Sequence, residues 1–182
     1  NVTGIRSDTK AIAKILHAYG AKACFDFAAA GPHGTMDMKG HDLDVMYLSI
    51  HKFVGGPGTP GLLVARRSLF TNDVPTVPGG GTVSFVQPHH RHQYLDDIEC
   101  REEGGTPAIV ERVRAGLVLQ LHSKVGAGCI EQIEKRYSDR AFAVWQNNPS
   151  LTILGNPKAT SRVSIASFLV KAPVGSTYLH YN

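Results

Sequence analysis

Residues 45–61 read Val45-Met46-Tyr47-Leu48-Ser49-Ile50-His51-Lys52-Phe53-Val54-Gly55-Gly56-Pro57-Gly58-Thr59-Pro60-Gly61. An apolar run leads into a hydroxyl, an imidazole and an amine, and a loop of glycine and proline follows. A short run that is apolar throughout, rather than alternating, is the pattern of a strand buried on both faces. Two more such runs flank it: Ala23-Cys24-Phe25, ending at Asp26, and Gly61-Leu62-Leu63-Val64-Ala65. Ahead of them, Ser7 and Asp8 are N-cap types. Ala11, Ile12, Ile15, Leu16 and Tyr19 mark one helix face, and Gly20 suits its stop. Helices among fully buried strands predict an α/β fold: a three-layer α/β/α arrangement around a mainly parallel sheet.

Working outward, residues 71–106 lack a regular pattern and hold Pro75, Pro78, the triplet Gly79-Gly80-Gly81 and a His-rich patch. A long irregular loop of this kind is usually functional or mobile. Gly104-Gly105-Thr106-Pro107 then opens a helical pattern through Ile109, Val110, Val113, Leu117 and Leu121, with Thr106 as N-cap and Pro107 at the first helical position. Gly126 and Gly128 interrupt it, and a second helix is predicted from Ile130 to Trp145. Residues 151–154 and 163–170 read as strands of a smaller α+β unit. The expected division is 1–128 for the C-terminal part of a large domain and 129–182 for the start of a small one, with Trp145 packing at their junction.

The chain has 182 residues and is 42% hydrophobic, enough to bury a core. Its net charge of +4 is scattered, which argues against a nucleic-acid partner. No apolar run approaches the roughly 18 residues of a membrane span, and no signal peptide opens the chain. The three cysteines, Cys24, Cys100 and Cys129, are far apart and lack CxxC spacing, which points away from disulfides and zinc and toward a reducing, cytoplasmic setting. The chain opens on Asn1 rather than Met and closes on Tyr178-Leu179-His180-Tyr181-Asn182, so it reads as a piece of a longer polypeptide.

In an open parallel sheet, ligands sit at the carboxyl ends of strands. One strand here ends on Asp26 and another on Ser49, His51 and Lys52; if the two are neighbours, a carboxylate and an amine face one cleft. The glycines after Lys52 allow close backbone approach, and the helix start at Thr106 offers a second place for an anion. A lysine amine beside an anion site suggests Schiff-base chemistry. A cofactor that needs a lysine amine, a carboxylate for a ring nitrogen and a phosphate clamp is pyridoxal phosphate. Taken singly, these residues are loop ends and caps; their order and spacing together carry the cofactor reading. GxxxxGK[ST] is absent, which disfavours ATP. His89, His90 and His92 lack a nearby carboxylate or cysteine and read as a solvated loop, with no metal expected. Cys100 reads as a small packed residue rather than a nucleophile.

On these residues the sequence resembles the class V aminotransferase family of fold-type I pyridoxal phosphate enzymes, which includes cysteine desulfurases and selenocysteine lyases. Asn1-Val2-Thr3-Gly4 resembles the family's Asn-Val-x-Gly turn. Phe25-Asp26-Phe27-Ala28-Ala29-Ala30-Gly31-Pro32-His33 resembles its Asp-x-Ala-Gln-x-x-Pro-His strand end. Ser49-Ile50-His51-Lys52 with Gly55-Gly56-Pro57-Gly58 resembles its lysine motif. Gly79-Gly80-Gly81 and Glu103-Gly104-Gly105-Thr106-Pro107 resemble its glycine triplet and its Glu-x-Gly-Thr-Pro.

The resemblance implies that Lys52 is the catalytic Schiff-base lysine, that Asp26 pairs with the pyridinium nitrogen, and that Ser49 and His51 bind the cofactor phosphate. It implies a homodimer in which Thr106 reaches the neighbouring subunit's phosphate, a small-molecule amino-acid substrate, and Asn1 near the ring hydroxyl or the substrate carboxylate. Ala29 departs from the family's glutamine. The family's phosphate turn and ring-stacking residue are expected upstream of Asn1, and the desulfurase cysteine and substrate arginine downstream of Asn182. The leading reading is a cysteine desulfurase-like or aminotransferase-like enzyme seen as a fragment. The rival is a non-catalytic homologue, or a structural or binding fragment, which Ala29 favours.

Overall fold

The computed structural model describes residues 2–89, 91–173 and 177–180. Helix α1 (Thr9–Ala18) starts where its cap predicts: the Asp8 carboxylate accepts the Ala11 N–H at 2.9 Å. Strand β1 (Cys24–Asp26) pairs in parallel with β2 (Val45–Ser49), and β2 pairs antiparallel with β3 (Gly61–Ala65). The order β1-β2-β3 puts the lysine-bearing strand in the centre. Only residues 50–60 link β2 to β3, too few for the dozen or so a parallel crossover needs, so the chain turns straight back. The expected mainly parallel sheet is therefore mixed within this chain.

Met46, Leu48, Ile50 and Phe53, none more than 7% exposed, form the centre of the core with Ala13 of α1. Val118 of helix α3 (Ile109–Val125) joins them. On the other face Asp26, Tyr47 and Leu63 stand in register across the three strands, with Tyr47 and Leu63 half exposed. Burial on both faces, which the apolar runs predict, is thus corrected in part: Val45 is buried on that face, but Tyr47 and Leu63 are not covered by the described residues. The run reads as continuous because the half-exposed face also carries apolar residues.

Helix α4 (Ala127–Trp145) follows α3 directly, with Gly126 between them, and begins a turn earlier than Ile130. The start of α3 is also displaced: its cap is Ala108, not Thr106, and Pro107 lies outside it. Residues 71–106 are more regular than expected. They hold an antiparallel hairpin, β4 (Val83–Val86) with β5 (His92–Tyr94), and a short helix α2 (Ile98–Glu102) capped by Asp97. Strands β6 (Leu151–Ile153) and β7 (Phe168–Val170) pair antiparallel; only the last part of 163–170 is strand. Trp145 packs against Phe142 and Phe168, ring centroids 5.7 and 5.8 Å away. The ion pair Arg6–Glu131 at 2.7 Å and the contact of the His33 imidazole with Glu134 at 2.8 Å join α4 to the first third of the chain.

Candidate functional site

The parallel pairing of β1 and β2 carries both chains of backbone to the same end of the sheet. Asp26 lies opposite Tyr47, two residues before Ser49, and the ladder continues one step further through Phe27 N–H to Tyr47 O at 2.8 Å. Beyond Ser49 the chain tightens into a single 3-10 turn, Ile50–Lys52. This turn is pinned from both sides: Ile50 is fully buried, Phe53 is nearly so, and its ring meets His122 of α3 edge-on at 5.0 Å. Gly56 is required for the loop to fold back, since a Cβ there would lie 2.0 Å from the Ile50 carbonyl oxygen. Thr59 donates its hydroxyl to Gly56 O at 2.6 Å, and Arg114 of α3 donates to Pro57 O at 2.9 Å.

A rigid turn thus presents its polar side chains outward. His51 and Lys52 are exposed and Ser49 is half-buried. Among the described residues none of the three forms a hydrogen bond or ion pair through its side chain. Asp26 is exposed as well, and among the described residues its carboxylate accepts only the Ala28 N–H, at 2.6 Å. The donor set fits a phosphorylated, aldehyde-bearing aromatic base: a free amine, a hydroxyl and imidazole with no protein partner, and a carboxylate with an unused oxygen.

The two strand ends do not yet form one cleft. Asp26 lines a cavity of about 380 Å³ with Arg6, Thr9, Thr35 and His41. Lys52 lines a separate groove of about 430 Å³ with His33, Phe53, His122 and Glu134. The neighbourhoods of both are therefore richer in titratable groups than the sequence shows. The imidazole of His41 is 2.8 Å from the Thr9 hydroxyl, and that of His33 is 2.8 and 3.0 Å from the two oxygens of Glu134. His33 belongs to the Pro-His end of a motif, a signal that was available; Glu134 is one acid among many on a helix surface and carries none.

Thr106 is exposed, in the segment between α2 and α3. Asn1 lies outside the described residues, as does His90. Cys100 is exposed rather than packed, and a hydrogen bond to the Asp97 carboxylate pushes its thiol pKa up, so it is a poor nucleophile. Among the described residues no group of three or more His, Cys, Asp or Glu side chains is placed to hold a metal, and no helix is long and apolar enough to cross a membrane.

The sequence pattern of the family described as Aminotransferase class-V matches residues 1–180. The chain belongs to the class-V aminotransferase family. Similar class-V relatives include a probable cysteine desulfurase of Staphylococcus epidermidis, 33% identical over 140 residues that cover 77% of this chain and 33% of the relative. Another, from Synechocystis, is 28% identical over 174 residues, covering 93% of this chain and 40% of its own length. The chain thus spans about a third to two-fifths of the curated relatives it matches. Among solved structures, the apo cysteine desulfurase of Thermococcus onnurineus superposes with a TM-score of 0.80 at 23% identity, over 95% of this chain and 42% of that one. The cysteine desulfurase CsdA of Escherichia coli gives 0.80 at 21% identity, over 92% and 40%. At these identities the likeness establishes the fold. A further neighbour, a C-DES variant with TM-score 0.64 and 21% identity, over 81% of this chain and 38% of its own, holds glycine covalently linked to its PLP cofactor.

Proposed function

We propose that this chain is the lysine-bearing part of a pyridoxal phosphate enzyme that acts on an amino acid, with L-cysteine desulfuration as its reaction. One observation carries the reading: in a class-V chain, a rigid turn sets Ser49, His51 and Lys52, without protein partners, at the end of a strand that runs parallel to one ending on Asp26. The cofactor, when bound, supplies an electron-withdrawing ring. Lys52 would provide the amine that holds it covalently and would move the proton at the substrate α-carbon. Asp26 accepts the N–H of the ring nitrogen and keeps it protonated. Ser49 and His51 donate to the phosphate, and Asn1 lies by the ring hydroxyl or substrate carboxylate. Thr106 serves the phosphate of a second copy in a homodimer. The unpaired cysteines support a reducing, cytoplasmic setting.

The test is product analysis on the full polypeptide that carries this segment, loaded with pyridoxal phosphate and given L-cysteine and a thiol reductant. Alanine and sulfide are expected, both lost in Lys52→Ala. A keto acid that keeps the sulfur would assign a transaminase, and pyruvate with ammonia and sulfide would assign a β-eliminating lyase. Bound cofactor with no turnover of any amino acid would favour the rival, a non-catalytic homologue, which Ala29 and the separate cavities of Asp26 and Lys52 recommend.

A further inference from the structure

Two glycine motifs 25 positions apart in the chain meet backbone to backbone. A Cβ built on Gly79 would lie 3.1 Å from the Cα of Gly104, and one built on Gly104 would lie 3.2 Å from the Cα and N of Gly79. Neither position has room for a side chain without moving main chain. The contact is closed by Gly105 N–H donating to Gly80 O at 2.8 Å. Thr82, wholly buried, locks the triplet side: its hydroxyl donates to Gly79 O at 2.6 Å, and its carbonyl accepts the Leu95 N–H at 3.0 Å. Behind Leu95 stands Arg101, 8% exposed, which donates from Nη1 to Leu95 O at 3.0 Å. Arg101 has no carboxylate within 4.0 Å among the described residues, and its Nε has no partner. A buried guanidinium is costly to leave uncompensated, and among the described residues its hydrogen bond goes to Leu95 O, which anchors that residue behind Thr82. These contacts end at Gly105, one residue before the exposed Thr106.

We propose that this glycine-on-glycine joint, locked by Thr82, positions Thr106 and so sets how tightly the phosphate that Thr106 touches is held. The inference rests on the reading of Thr106 as a ligand of the cofactor phosphate. It explains why Thr106 does not cap α3: Gly105 is committed to Gly80, and the helix begins only after the segment is free of the joint. Thr82 touches no reacting atom and is a positioning residue. Its effect is expected on the phosphate, the group that Thr106 serves in this reading.

The experiment is a titration of the full polypeptide with pyridoxal phosphate and, separately, with pyridoxal, which lacks the phosphate, following the absorbance of the bound form. Thr106→Val should weaken pyridoxal phosphate about tenfold or more, the loss of a hydrogen bond to a charged group. Thr82→Val, which keeps the volume and removes the hydroxyl, should weaken it about threefold to tenfold. Thr82→Ser should restore it, neither valine variant should change pyridoxal affinity, and Thr82→Val should add nothing on top of Thr106→Val. If Thr106→Val weakens binding and Thr82→Val does not, or if the two effects simply add, the joint is overturned while the phosphate reading stands. If Thr106→Val has no effect, both fall. Should Thr82→Val not fold, Arg101→Met removes the Leu95 anchor and is read by the same outcomes.

Discussion

Asp44 is 3% exposed at the start of β2, at the end of the sheet away from Lys52. Its carboxylate accepts the Ala23 N–H at 2.8 Å and lies 2.7 Å from His17 Nε2. The Ala23 hydrogen bond first, then that of His17, hold its pKa below the ordinary carboxylate range against the opposing effect of burial. A lowered folded-state value means the stabilisation is complete above the unfolded value, about 4, and is lost as pH falls through the lowered one. Asp44→Ala should cost about 1–3 kcal/mol, since it leaves a buried N–H without its acceptor. Urea unfolding across acidic to neutral pH should show the gap between parent and variant closing in acid. At this scale the sequence was informative about chemistry and silent about surroundings. The placement of Asp26 and Lys52 at the same end of two paired strands was legible, because short apolar runs that stop on polar residues mark strand ends. Cys100 was misread as packed, because residue type alone says little about exposure at a helix start. His33–Glu134 was illegible because the partners are 101 positions apart.

At α1 and at the break between α3 and α4 the elements followed their local signals. Helix α1 keeps its Asp8 cap, and α3 and α4 part at Gly126. The hairpin β4–β5 was not legible: glycine, proline and histidine dominate its surroundings, and no alternation shows through a bulged pairing. The start of α3 was misplaced because a tertiary contact, Gly105 with Gly80, overrides the capping preference of Thr106. The lysine turn depends on what lies beneath it. Phe53→Ala should cost about 3–5 kcal/mol, the range for truncating a buried aromatic. It should also loosen the turn, so amide exchange at 50–56 should quicken more than exchange in α4. Equal quickening in both would show that Phe53 supports the core in general rather than this turn.

At the scale of the whole chain, the α/β class was readable from apolar runs, and the missing second layer was not. Apolar runs report how buried a strand becomes in its final context, not which residues do the covering. What is left open is substantial: beside Tyr47 and Leu63, helix α3 exposes Val110, Val113, Leu117 and Leu121, each 47–67% accessible. They recur every three or four residues and so form one stripe. Exposed apolar surface of this kind drives association. The isolated 182-residue chain should therefore sediment as species larger than its 19.6 kDa monomer, and Leu117→Glu should reduce that association. A stable monomer at micromolar concentration would mean that the stripe and the bare sheet face need no cover.

The account turns on Lys52 and Asp26 serving one cofactor ring, although within this chain they open onto separate cavities. Borohydride reduction of the full polypeptide loaded with pyridoxal phosphate, followed by peptide mass mapping, tests this most directly when parent and Asp26→Asn are compared. The prediction is a reduced pyridoxyl adduct on Lys52 in both, with an altered absorption spectrum in the variant before reduction. An adduct on another lysine, or a spectrum indifferent to position 26, would contradict it.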